Sequence, residues 1–135
     1  MRNEEESKRK IIDAGLKCFA ASGYQKTSIE EVARDAGVSK ALIFHYFGTK
    51  TKLYKDLFDY FIGVVTEELA RAKGLDDIDF FARLKAQTEA KLRIMTRNPS
   101  LLNFALRIMR TPDKVIAELL EKHPVDGILI DYFGG

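Results

Sequence analysis

The stretch TSIEEVARDAGVSKALIFHYF, Thr27 to Phe47, decides how this chain reads. It holds two helical patterns of barely two turns each, with Gly37 between them. Helices that short are marginal alone, because nucleation fixes several residues for a single hydrogen bond. They make sense as a packed pair with one face presented outward. Counting from Ile29, Ala33 takes the fifth place, Gly37 the ninth, Val38 the tenth and Ile43 the fifteenth. Two closely crossing helices need a small residue at the fifth place and a positive-φ turn at the ninth, which alanine and glycine supply. The spacing predicts a helix-turn-helix. Ile29, Val32, Val38 and Ile43 form its inner faces, leaving Ser39, Lys40, Ala41, Leu42, Phe44, His45 and Tyr46 outside on the second helix.

Two capping-box patterns compete at the start of the first helix, Thr27 with Glu30 and Ser28 with Glu31. Thr27 is the preferred cap, since Ile29, Val32 and Ala33 then face inward. Ser39 caps the second helix, which runs to about Tyr46.

Working outward, the chain reads as helix after helix. Upstream, after a charged arm, KRKIIDAGLKCFAASG puts Ile11, Ile12, Leu16, Phe19 and Ala20 on one stripe of 3.6 period, with Gly23 as a C-cap. Downstream, Thr49 or Thr51 caps a long helix to about Ala72, with Leu53, Leu57, Phe61, Val64, Val65 and Leu69 as its stripe. The acidic stretch GLDDID leads into a helix whose apolar residues are Phe80, Phe81, Leu84, Leu92 and Met95. Asn98-Pro99 starts another, and Pro112-Asp113 starts a last one that Pro124 stops. GILIDYF near the end is too short and isolated for a sheet, so the fold class is all-α.

Composition fits a soluble globular chain: of 135 residues, 46% are hydrophobic and 31% charged, with net charge +2. The placement of charge says more than its sum. Between positions 26 and 55, Lys26, Arg34, Lys40, Lys50, Lys52 and Lys55 stand against Glu30, Glu31 and Asp35, with the basic residues dominating after Gly37. That is a local positive patch. The lone Cys18 in an apolar run reads as a buried, inert thiol in a reducing, cytoplasmic setting. The charged amino terminus lacks an apolar signal region, and no run approaches the roughly 20 apolar residues of a membrane span.

The outer surface of the second short helix carries function. It mixes small, aromatic and polar groups without a long acidic side chain, and a helix of this size enters a major groove about 12 Å wide. The hydroxyls of Thr27 and Ser39 and the amides at the two helix starts suit phosphates, as does the ammonium of Lys50. Lys40, Ala41, Leu42 and His45 are placed toward base edges or groove walls. An enzyme finds little support. His45 and His123 are separate, no HxxH, CxxC or HExxH spacing exists, and neither GxGxxG nor GxxxxGK occurs. No metal or cofactor is expected. The alternative is a helical protein–protein module without DNA readout, for which exposed Leu42 and Phe44 are suited.

The run AGLKCFAASGYQKTSIEEVARDAGVSKALIFHYFGTKTKL resembles the amino-terminal domain of the tetracycline-repressor (TetR) family, from about Ile11 to Leu57. The match is long and dense, from F-A-x-x-G-Y through T-S-I-x-x-V-A-x-x-A-G-V-S to F-H-Y-F-x-x-K-x-x-L. The family usually has glycine where Ala41 stands and often tyrosine where Phe44 stands. Phe44 cannot donate to a phosphate, so that role shifts to Tyr46. The resemblance implies a three-helix DNA-binding domain over 1–50, with contacts from Thr27, Ser28, Ser39, Lys40, Ala41, Leu42, Phe44, His45, Tyr46 and Lys50. It implies an all-helical effector-binding and dimerisation domain over 51–135. It further implies a transcriptional regulator, a repressor released from palindromic operator DNA by a small-molecule effector, acting as a homodimer. The family's last two helices, which build its dimer interface, are expected where this chain stops, so the second domain reads as incomplete.

The helices from Tyr60 to Lys122 carry more aromatic and methionine side chains than mutual packing of short helices needs. That surplus motivates an apolar effector cavity lined by some of Phe61, Val65, Phe81, Leu84, Leu92, Met95, Phe104 and Met109, each of which is also an ordinary core residue type. If Arg93, Arg97, Arg107 or Arg110 points inward, an acidic effector is favoured.

Overall fold

A computed structural model describes residues 2–72 and 80–122. Among them are seven α-helices: α1 (Arg2–Lys26), α2 (Ile29–Ala36), α3 (Lys40–Phe47), α4 (Lys50–Ala72), α5 (Phe80–Arg97), α6 (Pro99–Arg110) and α7 (Lys114–Lys122). The stretches GLDDID and GILIDYF fall outside the described residues. No described helix is long and apolar enough to cross a membrane.

The charged arm is helical. Glu4 pairs with Lys8 and Glu6 with Lys10 at i,i+4 spacing, so the first turns of α1 carry their own surface support. α1 breaks at Gly23, where φ is 83° and ψ 171°, a backbone region open essentially to glycine alone. Beyond the break a short turn delivers the chain to α2.

α1 packs against α2, α4 and α6, so the helix-turn-helix and the later helices share one core. Ile11, Leu16 and Phe19 of α1 are fully buried, as are Leu53, Leu57, Phe58 and Phe61 of α4. Full burial of each large apolar side chain contributes about 1.5–3 kcal/mol. Gly15 sits where a Cβ would lie 2.9 Å from Leu57, which lets α4 approach α1 closely. Asn98 caps α6 by accepting from the Ser100 amide, and Asp113 caps α7 by accepting from the Ile116 amide.

α5 departs from the sequence reading. Its inward face is Ala90 and Ile94, preceded by half-buried Ala82 and Ala86, a stripe of alanines four residues apart. Phe81, Leu84 and Leu92 point the other way, 77%, 49% and 52% exposed. Small residues let α5 lie close to its neighbours; the larger apolar side chains, which dominate the hydropathy signal, mark the opposite face.

Candidate nucleic-acid interface

α2 and α3 meet through a tight turn built by local chemistry. Gly37 takes φ 71°, ψ 31°, and its amide donates to the Arg34 carbonyl at 3.3 Å while the Val38 amide donates to that of Ala33 at 3.0 Å. This paired closure satisfies the orphan carbonyls at the end of α2. A Cβ at Gly37 would meet nothing within 4 Å, so backbone conformation, not space, calls for glycine there. Ile29, Val32, Ala33 and Ile43 are buried between the helices, and Val38 packs against the same core.

The capping of α2 differs from the expectation. Ser28, not Thr27, is the N-cap, its Oγ accepting from the Glu31 amide at 3.2 Å. Thr27 is turned inward and only 1% exposed. Its hydroxyl donates to the Gly23 carbonyl at 2.7 Å and lies 3.2 Å from that of Cys18. The Gly23 carbonyl also accepts the Thr27 backbone amide at 3.2 Å, so Thr27 ties the chain beyond the break back onto α1 through both its amide and its hydroxyl. Its hydroxyl is therefore not available to a phosphate. Ser39 caps α3 as expected, accepting from the Leu42 amide at 3.1 Å, and Thr49 caps α4 in the same way through Lys52. A capping serine accepts with its oxygen and keeps its own O–H to donate, so Ser28 and Ser39 remain competent toward an anion.

The outer side of α3 presents Lys40, Ala41, Phe44 and His45 to solvent, with Leu42 and Tyr46 partly covered and Ile43 and Phe47 buried. α3 contains no acidic residue. Its surroundings hold three cations over rings. Lys8 of α1 lies 5.3 Å from the Tyr46 ring centre, Lys40 lies 5.7 Å from that of Phe44, and Lys50 lies 4.6 Å from that of Tyr24. Lys50 also reaches the Gln25 carbonyl at 3.5 Å, which fixes its ammonium between the end of α1 and the start of α4. Lys40 pairs with Glu30 of α2, and that hydrogen bond holds the Glu30 carboxyl below its usual range. Lys8 and Glu30 escaped the sequence reading. Both the approach of Lys8 to Tyr46 and the Glu30–Lys40 pair are contacts between helices, which spacing within one helix does not reveal.

Behind this surface, Tyr24 donates to or accepts from Thr51 at 2.6 Å and packs on Phe19 and Tyr54. Tyr54 donates to Asp113 at the head of α7, and burial together with that bond pushes its phenol well above the ordinary range. Burial likewise raises the Cys18 thiol, with Asp35 and Glu31 adding to the shift.

The model of bacterial regulatory proteins of the tetR family matches residues 11–57, the segment that holds the helix-turn-helix and its caps. Residues 11–57 of this chain are a tetR-type amino-terminal domain. The HTH-type transcriptional regulator HbdR of Aromatoleum sp. (strain CIB) is 48% identical over 46 residues, 34% of this chain and 20% of that protein. The HTH-type transcriptional repressor AcnR of Corynebacterium efficiens is 32% identical over 65 residues, 48% of this chain and 31% of that protein. The match thus spans a third or less of either relative. Among solved structures, a protein of Shewanella sp. PV-4 described as a tetR family transcription regulator superposes with a TM-score of 0.63 at 25% identity, over 91% of this chain and 64% of that one. A mutant of HlyIIR superposes at 0.61 with 22% identity, over 87% and 65%, which supports the fold.

Of the residues suggested as a tetR-type effector lining, the described ones divide between the core and the surface. Phe61, Val65 and Phe104 are core, Met109 packs against that core, and Phe81, Leu84 and Leu92 face outward. The side chain of Met95 lies outside the described residues.

Proposed function

We propose that this chain is the DNA-binding and sensing part of a transcriptional repressor that acts as a homodimer on palindromic operator DNA in the cytoplasm and is released by a small-molecule effector. The observation that carries the reading is the solvent side of α3. A helix without acids presents Lys40, Ala41, Phe44 and His45, flanked by the capped starts of α2 and α3 and by Lys8, Tyr46 and Lys50. With its side chains an α-helix is about 10–12 Å across, the width of the major groove. Ser28, Ser39, Tyr46 and Lys50 then hold backbone phosphates, while Lys40, Ala41, Leu42, Phe44 and His45 meet base edges and thymine methyls. In this reading residues 1–50 make the DNA contacts and 51–135 sense and pair. Two units one helical turn or more apart supply the affinity that a single short helix lacks.

The test is selection of duplexes from a random pool, followed by fluorescence anisotropy at several salt concentrations. A palindromic consensus and a steep salt dependence are expected. Lys50→Ala should weaken all duplexes alike and lower the salt slope by about 1, whereas Lys40→Ala should also relax sequence preference. Salt-independent binding to a protein with no affinity for duplex DNA would instead mark an interaction module.

A further inference from the structure

An open cleft of about 700 Å³ runs between α1 and α6, away from the interior that the sequence reading assigned to an effector. Its volume lies within the range of small-molecule sites. Lys17, Arg107 and Arg110 line it and no carboxylate does; Ser100 and Asn103 add hydrogen-bonding groups, and Ala20, Ala21 and Leu106 form an apolar wall.

The three cations are not equivalent. Lys17 is paired with Asp35 of α2 at 3.3 Å. Arg107 donates to the Ala20 and Ala21 carbonyls at 3.5 and 3.3 Å, the carbonyls that the break at Gly23 leaves open. Arg110, one turn on along α6, has no hydrogen bond or ion pair from its side chain among the described residues. The carbonyl ends of α1 and α6 bring only about half a negative charge each. The cleft is therefore positive, with one guanidinium uncommitted and a second held by weak, long bonds to neutral acceptors. Guanidinium forks match planar oxyanions, and a bidentate bond to an ionised acceptor is stronger than the long single bonds to neutral carbonyls it would replace.

We infer that this cleft is a binding site for a small organic carboxylate, its carboxylate held by Arg107 and Arg110 and its apolar body laid on Ala20, Ala21 and Leu106. The site reports to the helix-turn-helix. An anion that draws Arg107 away frees the carbonyl end of α1 beside Gly23, and Thr27 hangs from the Gly23 and Cys18 carbonyls at the entry to α2. This second limb rests on the repressor reading; the binding limb does not.

The probe is para-fluorobenzoate, followed by fluorine NMR on the whole protein, with para-fluorobenzyl alcohol as its uncharged counterpart. Saturable broadening by the acid and none by the alcohol is expected. Arg110→Gln, at an exposed position that leaves the core untouched, should weaken the acid by about tenfold or more. No saturation by about 10 mM, equal binding of the alcohol, or an unchanged affinity in Arg110→Gln overturns the site. Equal displacement by inorganic phosphate overturns the organic-carboxylate assignment in favour of a general anion site. Anisotropy with selected duplex then separates the limbs. A severalfold loss of duplex affinity with probe bound supports the coupling, and unchanged affinity overturns it. A protein that binds no duplex refutes the repressor reading and leaves the NMR result to decide the site.

Discussion

Replacing Gly23 by alanine tests the junction on which both ends of the molecule depend. At φ 83°, ψ 171° the backbone occupies a region that an L residue enters only at about 1–3 kcal/mol. The new Cβ would also lie 2.7 Å from the Arg107 guanidinium. Arg107 must then withdraw from the Ala20 and Ala21 carbonyls, losing about 1 kcal/mol for long, partly exposed bonds. Against this, alanine restricts the unfolded chain and returns about 0.4–1 kcal/mol. The net loss is about 1–3.5 kcal/mol. With a urea m-value of roughly 1–3 kcal/mol per molar, the midpoint should fall by about 1 M at the middle of both ranges. Gly37→Ala is the internal standard. It has a positive φ of 71° but open space round the Cβ, so only a left-handed penalty of about 1–2 kcal/mol applies, less the same return from the unfolded chain. The double variant Gly23→Ala, Arg107→Met should show the steric part vanish, leaving the backbone part. A Gly23→Ala protein as stable as wild type, or no less stable than Gly37→Ala, would refute the reasoning.

Thr27→Val keeps the shape and removes the hydroxyl that serves two carbonyls; urea midpoints should report a loss of about 1–2 kcal/mol, while the salt slope of DNA binding stays unchanged. A lowered slope would return Thr27 to the phosphates. Tyr54→Phe should lose about 1–2 kcal/mol at neutral pH, because an Asp113 oxygen is left without its donor. The folded phenol titrates above its unfolded value near 10, so the stability it contributes is whole below about pH 10 and fades as pH rises beyond it. Urea midpoints of the two proteins should therefore converge in strong alkali, and a constant difference would contradict the assignment. Cys18 should react with an alkylating agent more slowly than free cysteine, with its pH midpoint displaced above the ordinary thiol value of 9.0.

Where the fold was legible, the signal was local. Gly37, Ser39 and Thr49 mark turns and caps whose chemistry depends only on near neighbours, and Leu53, Leu57, Phe61, Val64 and Val65 of the α4 stripe are buried. Where the reading failed, the deciding contact was distant or the signal was size. Thr27 and Ser28 both fit a capping pattern, and what separates them is that the Thr27 hydroxyl turns back onto the Cys18 and Gly23 carbonyls of α1. In α5 the buried face is written in alanines, which hydropathy underweights against Phe81, Leu84 and Leu92. The outer face of α3 was legible because none of the described residues covers most of it. The Glu30–Lys40 pair and the approach of Lys8 to Tyr46 were not, since both depend on how helices cross.

The packing of α1 on α6 also dictates an order of assembly. Asn98 donates to Asp13, and Arg107 to Ala21, across 85 and 86 positions of sequence. During synthesis at about 5–20 residues per second, α1 waits on the order of 4–17 s for its partner to be made. Contacts of such long separation are slow to form even in a finished chain, since loop closure precedes their reward. The helix-turn-helix, encoded first, thus rests on an α1 whose second face waits for α6: a nascent chain ended before Asn98 holds α2 and α3 against an α1 that is bare on that side. Early termination would yield a sticky fragment, not a small working DNA-binding domain.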